Sequence, residues 1–345
     1  MILRKNKVFD CFIFFNELDL LELRLNALDS HVDHFLIVES GITFQGEPKE
    51  FYYEKNKSRY QKFEHKIIHF KVEKYSLDFA NLPYIADPRN RDDEILNAIY
   101  KDIDDCPHFD KAREYWWGND FFQRECIRRA LALAQPAPDD LILISDVDEV
   151  PNPETLEKIN FDITPNLLIC LKQHEFCYYI NYYHNSDWLG TCCFLYGGFA
   201  NVSLNVLRFS SKREECFSPL IESNGGWHFT SLGNVEAIKK KITSWSHKEL
   251  NEKYILDSVE YNIAYGYDIF RRSGFGKLEC LPMDHDLLPK SLFKLCENFD
   301  HLVGPAIKQE NVFQQFFYTV YFFTRSKLNA LLKRLSLIFS VTVRM

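Results

Sequence analysis

The hydrophobic pattern alternates between short apolar runs and stretches of helical period. Residues 8–15 form an apolar run of strand length. Asn16 is placed to cap a helix in which Leu18, Leu21, Leu25 and Leu28 recur at helical spacing. Residues 35–38 and 66–72 read as two further strands. Strand, helix and strand in that order predict a parallel, doubly wound sheet. Residues 83–107 are polar and irregular, with one helix expected at 95–103. Residues 119–134 read as a long helix carrying Arg124, Arg128 and Arg129, stopped by Gln135-Pro136-Ala137-Pro138. Residues 141–145 are a buried strand that runs straight into Asp146-Val147-Asp148-Glu149. Strands are expected at 167–171 and 176–183. Gly225-Gly226-Trp227-His228 then precedes a helix whose Val235, Ile238, Ile242 and Trp245 share one face. The fold class this predicts is α/β with a mostly parallel central sheet over residues 1–300. Residues 301–345 form a helical, basic, amphipathic extension.

Composition narrows the class. Of the 345 residues 46% are hydrophobic and 26% charged, values of a globular chain with a sizeable core. The formal charge of −8 argues against a nucleic-acid partner. The charge is also unevenly spread. No acidic residue follows Glu310, while Arg325, Lys327, Lys333, Arg334 and Arg344 give the tail +5 and leave −13 elsewhere. Leu328, Leu331, Leu332, Leu335 and Phe339 fall on one stripe of a helix, with basic residues at its polar positions. Such a helix suits an anionic membrane surface; packing on the body or on a protein partner is the alternative. Arg4, Lys5 and Lys7 precede the first apolar run, but no small-residue cleavage site follows it, and no stretch reaches the roughly 18 apolar residues of a membrane span. The ten cysteines show no CxxC spacing and are expected to be reduced thiols in a cytoplasmic protein.

The strongest chemical signal is the segment Leu141 to Pro151. Strand C-terminal ends in an open α/β sheet face the ligand crevice. Asp146 and Asp148, at i and i+2 past such an end, are placed to bind one divalent cation, Mn²⁺ or Mg²⁺, and to leave positions for substrate phosphate oxygens. A solvated acidic turn would carry the same letters. Two enzyme classes use the arrangement: nucleotide-sugar glycosyltransferases, and phosphohydrolases in which the first aspartate is a nucleophile. The second class needs a later acidic pair behind an apolar strand, for which Asp284-His285-Asp286 is the nearest match. A non-catalytic module binding a nucleotide sugar or a glycan stays open as well.

The glycine pair Gly225-Gly226 would let backbone approach a ligand closely, and His228 would complete a metal shell or contact phosphate. Packing of Trp227 in a tight turn is the plainer alternative. Neither GxGxxG after the first strand nor GxxxxGK[ST] is present, so dinucleotide and P-loop chemistry are unsupported.

Residues Phe15-Asn16-Glu17-Leu18-Asp19-Leu20-Leu21-Glu22-Leu23-Arg24 resemble the opening motif of glycosyltransferase family 17, the family of the β-1,4-mannosyl-glycoprotein β-1,4-N-acetylglucosaminyltransferases. The resemblance continues in order through Val38-Glu39-Ser40, Gly46-Glu47-Pro48, Asp139-Asp140, Asp146, Asp148, Glu149, Pro151 and Gly226-Trp227-His228 to Leu288-Pro289-Lys290. It implies an inverting, metal-dependent transfer from a nucleotide sugar, UDP-GlcNAc first among them, on a GT-A-like fold. It also implies that Asp146 and Asp148 bind the metal and the donor diphosphate, that His228 touches metal or diphosphate, and that Glu39 contacts the nucleoside. Glu149 would support the metal loop. An inverting step needs a carboxylate to take the acceptor proton; Glu249, Glu222 and Asp187 are the candidates, Glu249 first. Animal members carry an N-terminal anchor and stem that are not seen here. The expectation is therefore a cytoplasmic enzyme, peripheral on the inner face of the membrane, acting on a glycan or lipid-linked glycan acceptor.

Overall fold

The computed structural model describes residues 6–73, 78–213, 217–288 and 290–342, with backbone alone at 211–213, 290, 291 and 333–342. Arg4, Lys5, Cys216, Pro289 and Arg344 lie outside the described residues, as do the side chains of Lys290, Lys333, Arg334, Leu335 and Phe339.

The chain opens with β1 (Val8–Phe14), α1 (Leu18–Leu28), β2 (His34–Ser40), the one-turn α2 (Tyr52–Lys55) and β3 (Ile67–Val72). Two helices follow, α3 (Arg91–Asp105) and α4 (Tyr115–Ala134), then β4 (Leu141–Asp146), β5 (Glu149–Pro151) and α5 (Pro153–Asp162). Next come β6 (Ile169–Cys177), β7 (Tyr182–Leu195), α6 (Tyr196–Phe199), α7 (Leu204–Arg213), β8 (Leu220–Glu222) and β9 (Gly226–Thr230). The last third holds α8 (Val235–Ser244), α9 (Lys253–Ala264), β10 (Glu279–Cys280), α10 (Lys290–Cys296) and the long α11 (Val312–Thr342).

One sheet runs in the order β3-β2-β1-β4-β7-β6-β9-β5, with β8 beside β6 and β10 beside β7. The first four strands are parallel neighbours. Past β4 the sheet is mixed: β7 runs antiparallel to both β4 and β6, β9 is parallel to β6, and β5 is antiparallel to β9.

The early strands read as continuous apolar runs because both faces are covered. Phe9, Cys11, Ile142 and Ile144 face α3 and α4. Phe12, Phe14, Leu141 and Leu143 face α1 and α5. Helix ends follow local chemistry. Asn90 caps α3 by accepting the Asp93 N–H at 2.9 Å, and Asn234 caps α8 by accepting that of Ala237 at 3.0 Å. Gln135 ends α4 in the left-handed conformation, φ 51°, just ahead of Pro136.

Two sequence expectations are corrected. Asn16 does not cap α1. Glu17 takes that position, and its carboxylate accepts the N–H groups of Phe15 and Asn16 at 3.2 and 2.9 Å. The strands expected at 167–171 and 176–183 are one nine-residue strand, a turn at Tyr178 with φ 69°, and the start of the fourteen-residue β7. The run Phe176 to Tyr183 is apolar except for Asn181, because both strand ends and the turn are largely buried, so its pattern hides the reversal.

The basic tail is helical, and α11 lies on α9. Phe322 is buried against Tyr254, and Tyr318 stacks on Tyr261 with centroids 3.5 Å apart. No helix among the described residues is long and apolar enough to cross a membrane. Nine cysteines are described, all free thiols.

Candidate active site

The parallel strands β1 and β4 lie side by side, while the chain leaves β1 toward β2 on the other side. The crevice past their C-terminal ends is the topological switch point of the sheet. A cleft of about 490 Å³ opens there. Its floor is Phe14, Phe15 and the Asp146-Val147-Asp148 loop. Its walls come from α4 (Asp120, Gln123, Arg124), α7 (Asn205, Arg208), β9 (His228, Thr230) and α8 (Lys241, Ser244).

The backbone of the acidic loop is held from below by Arg24. This fully buried side chain of α1 forms a two-point ion pair with Asp10 of β1, at 2.6 and 2.8 Å. It then donates to the carbonyls of Asp146, Val147 and Glu149 at 3.1, 3.2 and 2.8 Å. The desolvation of a charge that deep is offset by these matched donors.

Above the loop the charges interlock. Asp146 lies between two guanidiniums, with Arg124 Nη2 3.0 Å from Oδ1 and Arg208 Nη2 3.1 Å from Oδ2. Arg124 also pairs with Asp120 at 3.0 Å. Glu149 is fully buried. It accepts from both terminal nitrogens of Arg208 at 2.5 and 2.9 Å, from Trp188 Nε1 at 3.0 Å and from the Asp146 N–H at 3.0 Å. Burial works against its charge, but the Arg208 guanidinium outweighs it and holds the carboxyl below its ordinary value. Asp148 pairs with Lys241 Nζ at 3.2 Å. Burial alone would lower the Lys241 pKa; the Asp148 carboxylate reverses this and raises it.

His228 is placed by strand pairing. β5 and β9 set it directly opposite Glu149, and the Phe229 N–H donates to the Asp148 carbonyl at 2.8 Å. Its Nε2 faces Asp148 Oδ1 at 3.8 Å, its Nδ1 lies 3.4 Å from Glu175 Oε1, and its ring stacks on Trp188 at 4.0 Å. Gly226 makes this possible. At φ +132° a Cβ there would sit 2.1 Å from the Val150 carbonyl oxygen, and one at Gly225 would sit 2.6 Å from Leu171 Cβ. The glycine pair therefore admits neighbouring strands rather than a ligand.

Asp146, Asp148 and His228 are thus brought together at the cleft, although no three His, Cys, Asp or Glu side chains among the described residues converge as a ready metal shell. Other sequence candidates lie elsewhere. Glu39 is fully buried at the end of β2. Its carboxylate accepts the Tyr52 and Tyr53 N–H groups and meets Lys49 at 3.2 Å and His69 at 3.0 Å, so it anchors α2 and does not line the cleft. Glu222 pairs with Lys158 at 2.6 Å and Asp187 with Lys172 at 2.6 Å, both outside the cleft lining. Glu249 does not line it either, but pairs at 2.7 Å with His247, which does. Asp284 and Asp286 are also absent from the lining.

The residues that sequence reasoning missed are Arg208, Lys241, Asp120 and Trp188. Arg124 was read only as part of a helix. The cleft carries four carboxylates (Glu17, Asp120, Asp146, Asp148) and four cations (Lys49, Arg124, Arg208, Lys241). It can therefore hold an anion in a balanced field, between aromatic surfaces offered by Phe15, Phe44, Trp117, Trp188 and Trp245.

No curated protein matches the sequence. The solved structure of 4-diphosphocytidyl-2C-methyl-D-erythritol synthase is similar over 64% of this chain and 89% of that one, at 12% identity. Its TM-score of 0.33 does not establish a shared fold. The family model of glycosyltransferase family 17 matches residues 2–105 and 97–272, and with most of its length so matched the chain belongs to glycosyltransferase family 17.

Proposed function

We propose that the protein is a metal-dependent, inverting glycosyltransferase of GT-A-like architecture that moves a sugar from a UDP-sugar, UDP-GlcNAc by family resemblance, to a glycan or lipid-linked glycan hydroxyl. The observation that carries this reading is the Asp146–Glu149 loop, held at the sheet's switch point and opening on a charge-balanced cleft.

Charge arithmetic supports a cation. Every lining cation is already paired with a carboxylate, and a donor diphosphate adds at least two negative charges. Asp148 Oδ1 and His228 Nε2, 3.8 Å apart, are donors that Mn²⁺ accepts, and they fit such an ion. Asp146 adds a further oxygen, each of its two carboxylate oxygens keeping a lone pair beyond the one its guanidinium takes. Substrate oxygens would complete the shell. A bound divalent cation would neutralise charge developing on the leaving diphosphate.

The chain's own residues supply the rest. Arg124, Arg208 and Lys241 present fixed positive charge around the same cleft, and the tryptophans offer stacking faces for base or sugar. Of the sequence candidates for the base, Glu249 alone reaches the cleft, through His247. Its carboxylate orients that imidazole, and His247 takes the acceptor proton. The hydrolase reading loses support. Both oxygens of Asp146 are tied to guanidiniums, and Asp284 and Asp286 do not line the cleft.

The test is donor hydrolysis by purified protein across a panel of UDP-sugars, with Mn²⁺ or with chelator. Mn²⁺-dependent release of UDP from one sugar, lost in Asp148→Ala, is expected. Tight binding of a nucleotide sugar with no turnover, even after acceptors are supplied, would replace the enzyme by a binding module.

A further inference from the structure

Helix α11 has two unlike sides. Tyr318 and Phe322 fix one to α9, helped by Gln315, which donates to the Tyr267 hydroxyl at 3.2 Å. The other side holds ten exposed large apolar residues, among them Phe313, Phe316, Phe317, Val320, Phe323 and Leu331. At 3.6 residues per turn they cover an arc of about 200°. Phe313 is 76% exposed and Phe317 68%. Among the described residues these side chains all stay exposed, and water is a poor neighbour for so many phenyl rings.

Charge says what covers it. The last 35 residues contain no carboxylate and five basic residues, while the rest of the chain is strongly acidic. Arg325 sits beside the apolar arc and Lys327 within it, where a long side chain reaches outward past its apolar neighbours. An arc this wide exceeds the narrow seam of a coiled coil. A second copy seated face to face would also bring two +5 tails together. An anionic lipid surface meets both demands, taking the phenyl rings below the headgroups and the cations at their level.

We propose that α11 is an interfacial membrane helix, held on the catalytic body by Tyr318 and Phe322, which seats the protein on anionic lipid through its aromatic arc. This goes beyond the transfer reaction and does not depend on it. The arc differs from the stripe read in the sequence. It begins a full four turns earlier, at Val312, and its weight is phenylalanine rather than leucine.

The experiment is sedimentation of the full chain with vesicles of phosphatidylcholine, with and without phosphatidylglycerol. Phe316→Ser/Phe317→Ser removes apolar contact, and Arg325→Gln/Lys327→Gln removes charge. Both pairs are exposed, so thermal unfolding in solution should match the wild type. Expected are binding to the anionic vesicles, about tenfold or more weaker binding to neutral ones, and about tenfold loss in either variant. Absence of vesicle binding by the wild type overturns the proposal. So does equal binding to both vesicle types, or a stable dimer in sedimentation velocity that the Phe316→Ser/Phe317→Ser variant abolishes while vesicle binding stays intact.

Discussion

Arg208 and Glu149 form a two-point ion pair at the base of the cleft, with both terminal guanidinium nitrogens 2.5 and 2.9 Å from the two carboxylate oxygens. Arg208 lies on α7 and Glu149 at the start of β5, so the pair joins the acidic loop to a helix more than fifty residues away. The same guanidinium reaches Asp146. Removing it leaves the fully buried Glu149 without its cation, while Asp146 keeps Arg124. Arg208→Ala should cost about 3–5 kcal/mol of folding stability, the usual loss on breaking a buried pair. Arg208→Lys keeps charge but not the fork, and should fall between. Denaturant unfolding of the three proteins measures this; equal stability in all of them would mean that the pair does not hold the loop.

Behind His228 stands Glu175, 3.4 Å from Nδ1 on one oxygen and 2.5 Å from His184 on the other. Burial would raise its carboxyl, yet the neighbouring His184 and His228 imidazoles bring it down to about 2. A carboxylate behind a ligating imidazole fixes the ring's tautomer and direction. If His228 holds the cation, Glu175→Gln should weaken Mn²⁺ affinity about 10–100-fold. Titration of Mn²⁺ followed by electron paramagnetic resonance reads the affinity without turnover. Unchanged affinity, with His228→Ala also unchanged, would place the cation elsewhere.

The proton acceptor is tested separately. His247→Ala should lower kcat about 10²–10⁴-fold with little change in donor binding. Glu249→Gln should lose less, since it leaves the imidazole in place but unoriented. Donor hydrolysis to water and transfer to acceptor are compared in each variant. A His247 variant with full transfer activity would move the search to Glu17 and Asp120, the lining carboxylates outside the acidic loop.

How far the sequence could see follows from what each part of the site depends on. β1, α1 and β4 were legible because their faces are buried in the simplest periods, and the acidic loop because it follows a strand directly. Arg208 and Trp188 were not. They depend on β7 threading between β4 and β6, and the polar stretch His184 to Asp187 in that strand hides its continuity. Helix α4 was legible, but not that Asp120, Gln123 and Arg124 form its cleft face, since nearly every residue of its middle is buried. Glu39 was legible as a carboxylate at a strand end, but not its partners. Only the fold shows that its carboxylate turns onto the amides of α2.

A pH prediction concerns the joint between body and tail. Glu310 precedes α11 and accepts from Tyr261 at 2.5 Å, from Lys277 at 3.2 Å and from the Tyr267 hydroxyl. Burial pushes its carboxyl up, but these donors outweigh it and lower the pKa below the ordinary 4.5. A lowered folded pKa means stability that is fully present above the unfolded value and lost as pH falls through the folded one. Glu310→Gln should therefore cost about 1–2 kcal/mol at neutral pH, as for a buried charged acceptor. The gap to wild type should close as pH drops below 4.5 and on through the lower folded value. Thermal unfolding of both proteins from neutral to acidic pH checks it. A gap that widens on acidification would show that Glu310 binds its proton more readily in the folded protein, contrary to the geometry around it.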